Sequence, residues 1–438
     1  MTAAAAPVRR TSVARVILTS LGASSIEWYD FFIYGTAAAL VFPKLFFAAD
    51  LPDSVKQLAS FSTFAVGFIA RPIGGIVFGH FGDRFGRKNA LVTALMIMGL
   101  ATTLIGCLPS YATIGVAAPL LLILLRFAQG LAVGGQWGGA ALLAIENAPE
   151  GKRGLFGSFP QLGVPTGVVL ANLIFLIMTK AVAPDVFQDW GWRVPFVLSL
   201  LLVALGLYVQ LKLEDTPEFR ALVDVADKDV KAGEAARARS PILQVLAKHP
   251  KEVLLAGGSF VASNGCFYVV ITFIVSYAVT HLHVERPQVL WAVLLGSLIS
   301  APSPPFTGWL SDRFGRRGIF MLGCLLSGVW AFALWRLTDT GGFLPMVLGI
   351  GVALSVQNFM YGPQAALFAE LFPVETRYSG ASLGYQVGAI CGGGFAPIIA
   401  TALLDKYQSS TAIAGYMAVM CAVSFVSVFL LAETNKRT

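Results

Sequence analysis

Read as a pattern of apolar and polar positions, the 438-residue chain is a series of long apolar runs parted by short polar breaks. A run of about 20 residues is the length at which a helix crosses ~30 Å of hydrocarbon. Twelve such runs predict twelve helices, near 15–42, 55–80, 89–109, 117–145, 155–181, 193–213, 253–282, 287–309, 317–337, 342–370, 379–404 and 411–432. The first run is too long for a removable signal peptide and lacks a small-residue cleavage site. One polar stretch, 214–251, is far longer than the others and divides the runs six and six. The expected organisation is a six-helix bundle at 1–213, a linker at 214–251 and a second bundle at 252–438. The linker's Asp, Lys, Ala and Arg suit either an amphipathic helix on the inner membrane surface or a solvated connector.

Composition agrees with a membrane setting. The chain is 56% hydrophobic and 13% charged, with a mean hydropathy of +0.73; a soluble domain carries roughly 25% charged residues. A net charge of +7 would suggest nucleic acid in a soluble protein, but its distribution points elsewhere. With the N-terminus inside, the inner segments hold 22 of the 31 cationic residues, from Arg9, Arg10 and Arg15 through Arg84, Arg87 and Lys88 to Lys436 and Arg437. The positive-inside rule then places both termini in the cytoplasm and makes the charge a matter of topology. All five cysteines fall in apolar runs, where they read as small hydrophobes, with no metal-ligand or disulfide spacing. No Ser-His-Asp set or phosphate loop is present. His281 and His283 sit at the outer end of the seventh run and read as solvated.

The two halves repeat. "GHFGDRFGRK" (79–88) and "GWLSDRFGRR" (308–317) agree at six of ten positions, each after the second run of its half. Glu146, Pro149 and Arg153 match Glu370, Pro373 and Arg377, each after the fourth run. Two motifs repeating at nearly one offset argue for internal duplication, which transporter folds often show. The glycines permit a tight turn, and Asp83 suits either the orphan amides of a following helix or a pair with Arg87. Positive-inside topology accounts for the arginines, but not for the fixed acid and glycines. We expect a charge network that latches the halves on the inside: Gly79, Asp83, Arg84, Gly86, Arg87, Glu146 and Arg153 in the first half, and Asp312, Arg313, Arg316, Glu370 and Arg377 in the second.

At these residues the chain resembles a known family. G-x-x-x-D-R-x-G-R-[RK], present twice, is similar to the loop signature of the major facilitator superfamily, and "LLRFAQGLAVGG" (124–135) to its fourth-helix motif. "EWYDFFIYG" (27–35), "ARPIGG" (70–75), "GWRVPF" (191–196) and "EDTPEF" (214–219) resemble the metabolite:proton symporters. "AVGGQWGGAAL" (132–142) and "YSGASLGYQVGAICGGGFAP" (378–397) look most like the shikimate-transporter branch. The resemblance implies an all-α membrane protein of twelve transmembrane helices in two pseudo-symmetric six-helix bundles. It implies a bacterial inner-membrane symporter working by alternating access, with the proton as coupling ion and no cofactor. Related members carry ketoglutarate, citrate, proline or betaines.

Four charges lie deep in the apolar runs. At ~1.5 Å per helical residue, Glu27 is about 18 Å beyond Arg15, Asp30 one turn further, Arg71 about 18 Å before Asp83, and Arg126 about 13 Å from the outer surface. Two acids and two bases from three helices therefore meet near the midplane. They read either as structural ion pairs closing the first half or as a transport site. Polar stripes at three- and four-residue spacing support the second reading. These are Glu27, Asp30 and Tyr34; Arg126, Gln129, Val133 and Gln136, with Trp137 beside them; Asn264, Tyr268 and Thr272; and Gln357, Tyr361 and Gln364. Such stripes face protein or water rather than lipid, and plain helix–helix hydrogen bonding would also explain any one of them. Trp28, Tyr29 and Phe267 could wall a central cavity. Pro160, Pro165 and nearby glycines should break the fifth run, and "CGGGFAP" (391–397) the eleventh.

The expected activity is proton-coupled uptake of a small organic acid, a shikimate-like monocarboxylate. Arg71 and Arg126 would meet its carboxylate. Tyr34, Gln129, Gln136, Trp137, Asn264, Tyr268, Gln357, Tyr361 and Gln364 would line the site, its amides and hydroxyls reading the acid's hydroxyls. Asp30, with Glu27, would carry the proton. A uniporter or antiporter would share the fold, and a membrane sensor without transport is a remoter reading. The expected protein is not an enzyme, binds no metal and acts as a monomer.

Overall fold

A computed structural model of the protein describes residues 13–85, 87–134, 145, 148–213, 241–373 and 377–434. Every apolar run is helical over its described residues, apart from short breaks. The first half comprises α1 (Val13–Leu40), α2 (Asp53–Phe85), α3 (Arg87–Cys107), α4 (Ala117–Gly134), α5 (Arg153–Ala181) and α6 (Arg193–Leu213). The second comprises α7 (Pro250–Thr280), α8 (Arg286–Phe314), α9 (Arg316–Asp339), α10 (Phe343–Leu371), α11 (Arg377–Ala389, continuing as Ala396–Tyr407) and α12 (Ser410–Phe429). Nine of these are long and apolar enough to cross a membrane among the described residues, and the helices Val13–Leu40, Arg87–Cys107 and Arg193–Leu213 occupy the other three runs.

The breaks fall where backbone chemistry allows them. Helix α5 is interrupted by a 3-10 turn at Pro160–Leu162, because Pro160 has no N–H to give the preceding turn. Helix α11 passes through a π-helical turn at Ile390–Gly394, where three glycines lower the barrier to irregular backbone. Two further irregularities went unforeseen. Helix α7 carries a π-helical turn at Val269–Phe273, and α8 divides between Ser300 and Ser303 ahead of two prolines. The predicted linker also ends sooner than expected: its last part forms a short helix, Pro241–Lys248, whose Val245 packs with Val253 and Phe372 of the second half.

Within the first half the decisive contact is between α2 and α4. A Cβ at Gly134 would fall on the Arg71 carbonyl, one at Gly130 on the Gly67 carbonyl, and one at Gly74 on the Leu131 carbonyl. The two backbones touch over two turns because glycine leaves nothing between them, the small-residue packing typical of helices in lipid. Helix α5 is held to α1 through the Ser25–Thr166 hydroxyl pair at 2.8 Å, and α6 accepts the Tyr29 hydroxyl at the Pro195 carbonyl, also at 2.8 Å. The halves meet along four seams. Phe31 of α1 lies against Tyr268 of α7, Phe68 of α2 against Gly394 of α11, Gly154 of α5 against Gly308 of α8, and the Gln161 amide donates to the Tyr361 carbonyl of α10 at 2.8 Å.

The α2–α4 crossing gives a stability test. Gly134→Ala sets a methyl against backbone that cannot turn aside, and overpacking of this kind costs about 1–3 kcal/mol. The purified variant should melt several degrees below the native protein, whereas Gly415→Ala, with open space around its Cβ, should not. Equal melting temperatures for both would refute the close packing.

Candidate functional site

The α2–α4 contact fixes where two guanidinium groups end up. Arg71 and Arg126 are each 1% exposed, as is Asp30 on the facing helix α1. Arg126 donates through Nη1 to Gln129 Oε1 at 3.1 Å, and Gln129 Nε2 donates to Thr102 Oγ1 at 2.6 Å. The faces of both cations rest on aromatic rings. Arg126 Cζ stands 4.1 Å from the Tyr34 centroid, 4.3 Å from Phe31 and 4.9 Å from Phe64. Arg71 Cζ stands 4.5 Å from Phe31, 4.7 Å from Phe68 and 5.9 Å from Trp28. In both arginines Nε and Nη2 have no hydrogen-bond partner among the described residues. Those two nitrogens form the side-on fork that takes a carboxylate in parallel hydrogen bonds. Tyr34 donates to Thr63 Oγ1 at 2.7 Å, which locks its ring beneath Arg126.

Next to this cluster, between the halves, lies a small cavity of about 30 Å³. At roughly 10–15 Å³ per water, it has room for about two. Trp28 and Val168 wall it from the first half; Asn264, Tyr268, Gln357 and Tyr361 wall it from the second. Tyr268 touches both the cavity and the cations, packing 5.2 Å from Phe68 and 5.9 Å from Phe31 and facing Arg71. Behind the cavity wall the polar groups form a chain: Gln357 Nε2 donates to Ser263 Oγ at 3.2 Å, and Ser263 Oγ donates to Gln364 Oε1 at 3.3 Å.

Contacts between the halves occur at both ends of the bundle. At the end that the charge pattern assigns to the cytoplasm, Asp312 accepts from the Gly154 and Leu155 amides at 2.8 and 2.9 Å, so an acid of α8 caps the start of α5 across the two halves. Arg316 pairs with Asp312 at 2.6 Å and with Glu370 at 3.2 Å. Glu433 accepts from the Arg316 and Arg317 amides at 2.9 and 3.1 Å, and Thr434 donates to Glu370 at 2.6 Å. At the opposite end Arg286 of the second half stands over Phe187 of the first, 5.9 Å from its centroid.

The sequence-predicted residues sort as follows. Asn264, Tyr268, Gln357 and Tyr361 share the cavity wall. Arg71, Arg126 and Tyr34 are gathered beside it but do not line it. Gln129 departs from its expected role, because its amide is engaged by Arg126 and Thr102 inside the first half. Gln364 stands one hydrogen bond behind the wall. Thr272 leaves the stripe of Asn264 and Tyr268: the extra residue in the π-helical turn rotates it toward Gly35, where a Cβ would lie 3.2 Å from its hydroxyl. In the latch, Asp312, Arg316 and Glu370 are together, whereas Arg313 stacks on Trp309 of its own helix at 4.8 Å. Arg153 and Arg377 show no ion pair among the described residues, and Arg377 Nε is left without a hydrogen bond there. The side chains of Glu27, Asp83, Arg84 and Arg87, together with Gly79, Gly86, Gln136, Trp137 and Glu146, lie outside what is described. Sequence reasoning missed Glu433 and Thr434. The available signal was the acid–threonine pair that closes each half, Asp215-Thr216 and Glu433-Thr434.

If Asp312 latches the halves, Asp312→Asn should open that end. Hydrogen bonds to a charged group contribute about 1.5–3 kcal/mol, enough to shift an equilibrium about tenfold. In a cysteine-free background carrying Ser158→Cys, a site fully buried beside Gly308, maleimide labelling should be about tenfold faster with Asp312→Asn. Unchanged labelling would remove Asp312 from the gate.

The comparisons with known proteins bear on this geometry. The sugar (and other) transporter family matches residues 16–438. The inner membrane metabolite transport protein YhjE of Escherichia coli K12 is 42% identical over 97% of this chain and 95% of its own length. The shikimate transporter of Escherichia coli K12 is 37% identical over 96% of this chain and 95% of its own, and a proline/betaine transporter of Salmonella typhimurium LT2 is 32% identical over 96% and 84%. Among solved structures, a D-xylose-proton symporter superposes with a TM-score of 0.75 at 16% identity, covering 98% of this chain and 100% of that one, a likeness of fold. The chain therefore belongs to the sugar (and other) transporter family of the major facilitator superfamily, and is a membrane transporter rather than an enzyme.

Proposed function

We propose that this protein takes up a small hydroxylated organic acid together with protons, by alternating access between the two bundles. The observation that carries the reading is the pair of buried guanidinium groups whose carboxylate forks are open among the described residues, set beside a small cavity with an amide and hydroxyl wall. A buried cation with open donors is costly unless an anion visits it. A carboxylate binding Arg126 or Arg71 would satisfy the fork, while Asn264, Gln357 and Tyr361 would read hydroxyls at the other end. The 37% identical relative named a shikimate transporter favours a monocarboxylate of that class. Ketoglutarate, citrate and aromatic acids remain alternatives, as does uniport or antiport.

Coupling follows from charge balance. Burial disfavours an ionised acid, and a neighbouring arginine favours it. When a substrate carboxylate engages the arginine, Asp30 loses part of that support and protonates more readily. Substrate and proton then load together. Glu27 is its coupled partner, since paired acids titrate jointly. On this reading the chain lies in the bacterial inner membrane as a monomer, both termini in the cytoplasm, and the Asp312 network gates the inner mouth.

A second reading has its own support. Trp28, Phe260, Phe267 and Tyr268 line the cavity, a composition that also suits a quaternary ammonium, and a 32% identical relative is named a proline/betaine transporter. Thermal shifts of the purified protein with shikimate, quinate, protocatechuate, ketoglutarate, citrate, proline and betaine would separate the classes.

Two outcomes test the mechanism in proteoliposomes. Arg126→Lys should weaken shikimate binding at least tenfold, because an ammonium lacks the planar fork; native affinity in both Arg126→Lys and Arg126→Ala would exclude Arg126 from recognition. Uptake by the native protein should rise as external pH falls from about 8 to about 6, since proton loading outside drives the inward step. Asp30→Asn should lose that pH-driven accumulation yet retain substrate counterflow. Full accumulation in Asp30→Asn, in Glu27→Gln and in the double variant would leave these acids as structural partners.

A further inference from the structure

One ring serves both cations. Phe31 lies 4.5 Å from Arg71 Cζ and 4.3 Å from Arg126 Cζ, and among the described residues it is the one side chain over which both guanidinium groups stand. It is 4% exposed and is held in place by Phe64 and Phe68, each 5.2 Å away, and by Tyr268 at 5.9 Å. It directly follows Asp30 along α1. We infer that Phe31 is a positioning residue for anion recognition: its π face holds Arg71 and Arg126 side by side in the empty protein, with the Nε–Nη2 edge of each kept open for a carboxylate. The inference rests on the reading of this cluster as the anion site of the transporter.

The geometry divides the work between face and edge. A guanidinium offers its flat face to a ring and its N–H edge to a carboxylate, so the two partners do not compete. The hydrogen-bonded neighbours of Arg126 use Nη1 and leave Nε and Nη2 open. Two like charges in an apolar box would otherwise separate or draw in water. The quadrupole of Phe31 opposes that without consuming any donor. An aliphatic residue of similar volume would fill the space but leave the cations unheld. Loss of the ring should therefore raise KM for the acid, because the clamp must be reassembled on binding, and should change the saturated rate little.

The test uses the full-length protein in proteoliposomes with radiolabelled shikimate. Phe31 is replaced by phenylalanines bearing one, two and three fluorines, which keep the ring's shape while draining its negative face, and separately by leucine. KM should climb with each fluorine and reach at least tenfold in the trifluoro form, with the saturated counterflow rate within about twofold of native and an unchanged melting temperature. Phe31→Leu should match or exceed the trifluoro form. A native KM across the fluorine series would overturn the inference even if Phe31→Leu failed to fold. Should the native protein carry no shikimate, the proposed substrate fails and a substrate-free measurement decides. The Nε–H signals of 15N-arginine-labelled protein, assigned through Arg71→Lys and Arg126→Lys, should both move stepwise with fluorine number. Signals from either arginine that do not move would overturn the inference independently of any substrate.

Discussion

Two arginine side chains are carried into the middle of an apolar bundle and are almost fully buried there. A charge in such a place must be neutralised, paired or held by polarisable neighbours, and the first half is built around that requirement. Helices α2 and α4 touch backbone to backbone at Gly74, Gly130 and Gly134, which brings Arg71 and Arg126 within reach of one another. Helix α1 then supplies Phe31 and Tyr34 beneath the cations, and carries the buried Asp30. The second half lines the cavity with neutral groups among the described residues. Its contribution is Asn264, Tyr268, Gln357 and Tyr361, a neutral wall able to exchange hydrogen bonds. This asymmetry, charge on one side and hydroxyl recognition on the other, suits a ligand with an anionic end and a hydroxylated end.

Contacts across the halves flank the cavity. Hydration would weaken the arginines' need for an anion, and their near-complete burial opposes it. The Asp312 cap on Gly154 and Leu155 ties the halves at one end, and Arg286 stands over Phe187 at the other. Asp312 joins two tasks, since it closes the α5 terminus in the other half and anchors the Arg316–Glu370 pair in its own. Opening of that end, as proposed for transport, would disturb a helix cap and a buried ion network at once.

Much of this was legible in the sequence. The length of the apolar runs foretold the all-helical membrane fold, and the doubled loop motif pointed to Asp312, which the structure places against the start of α5 in the other half. Single polar residues in apolar surroundings pointed to Arg71, Arg126, Asp30 and the Asn264–Tyr268 and Gln357–Tyr361 stripes. What the sequence hid depended on rotation and reach. Thr272 left its stripe because a π-helical turn adds one residue, which no periodicity announces. Gln129 turned inward because Thr102 on another helix was within 2.6 Å. Phe31 was overlooked because a phenylalanine in an apolar run carries no sign that two cations rest on it. Glu433 was overlooked because its partners are backbone amides over a hundred residues away.

The most direct measurement is proton movement driven by substrate alone. Proteoliposomes are loaded with a pH-sensitive dye, set at equal pH inside and out with the membrane potential clamped, and given external shikimate. The lumen should acidify in step with uptake, and Arg126→Lys should abolish both signals at the same shikimate concentration. Shikimate entry with no change in lumenal pH would contradict a mechanism in which the carboxylate at the buried arginines loads a proton onto the neighbouring acid.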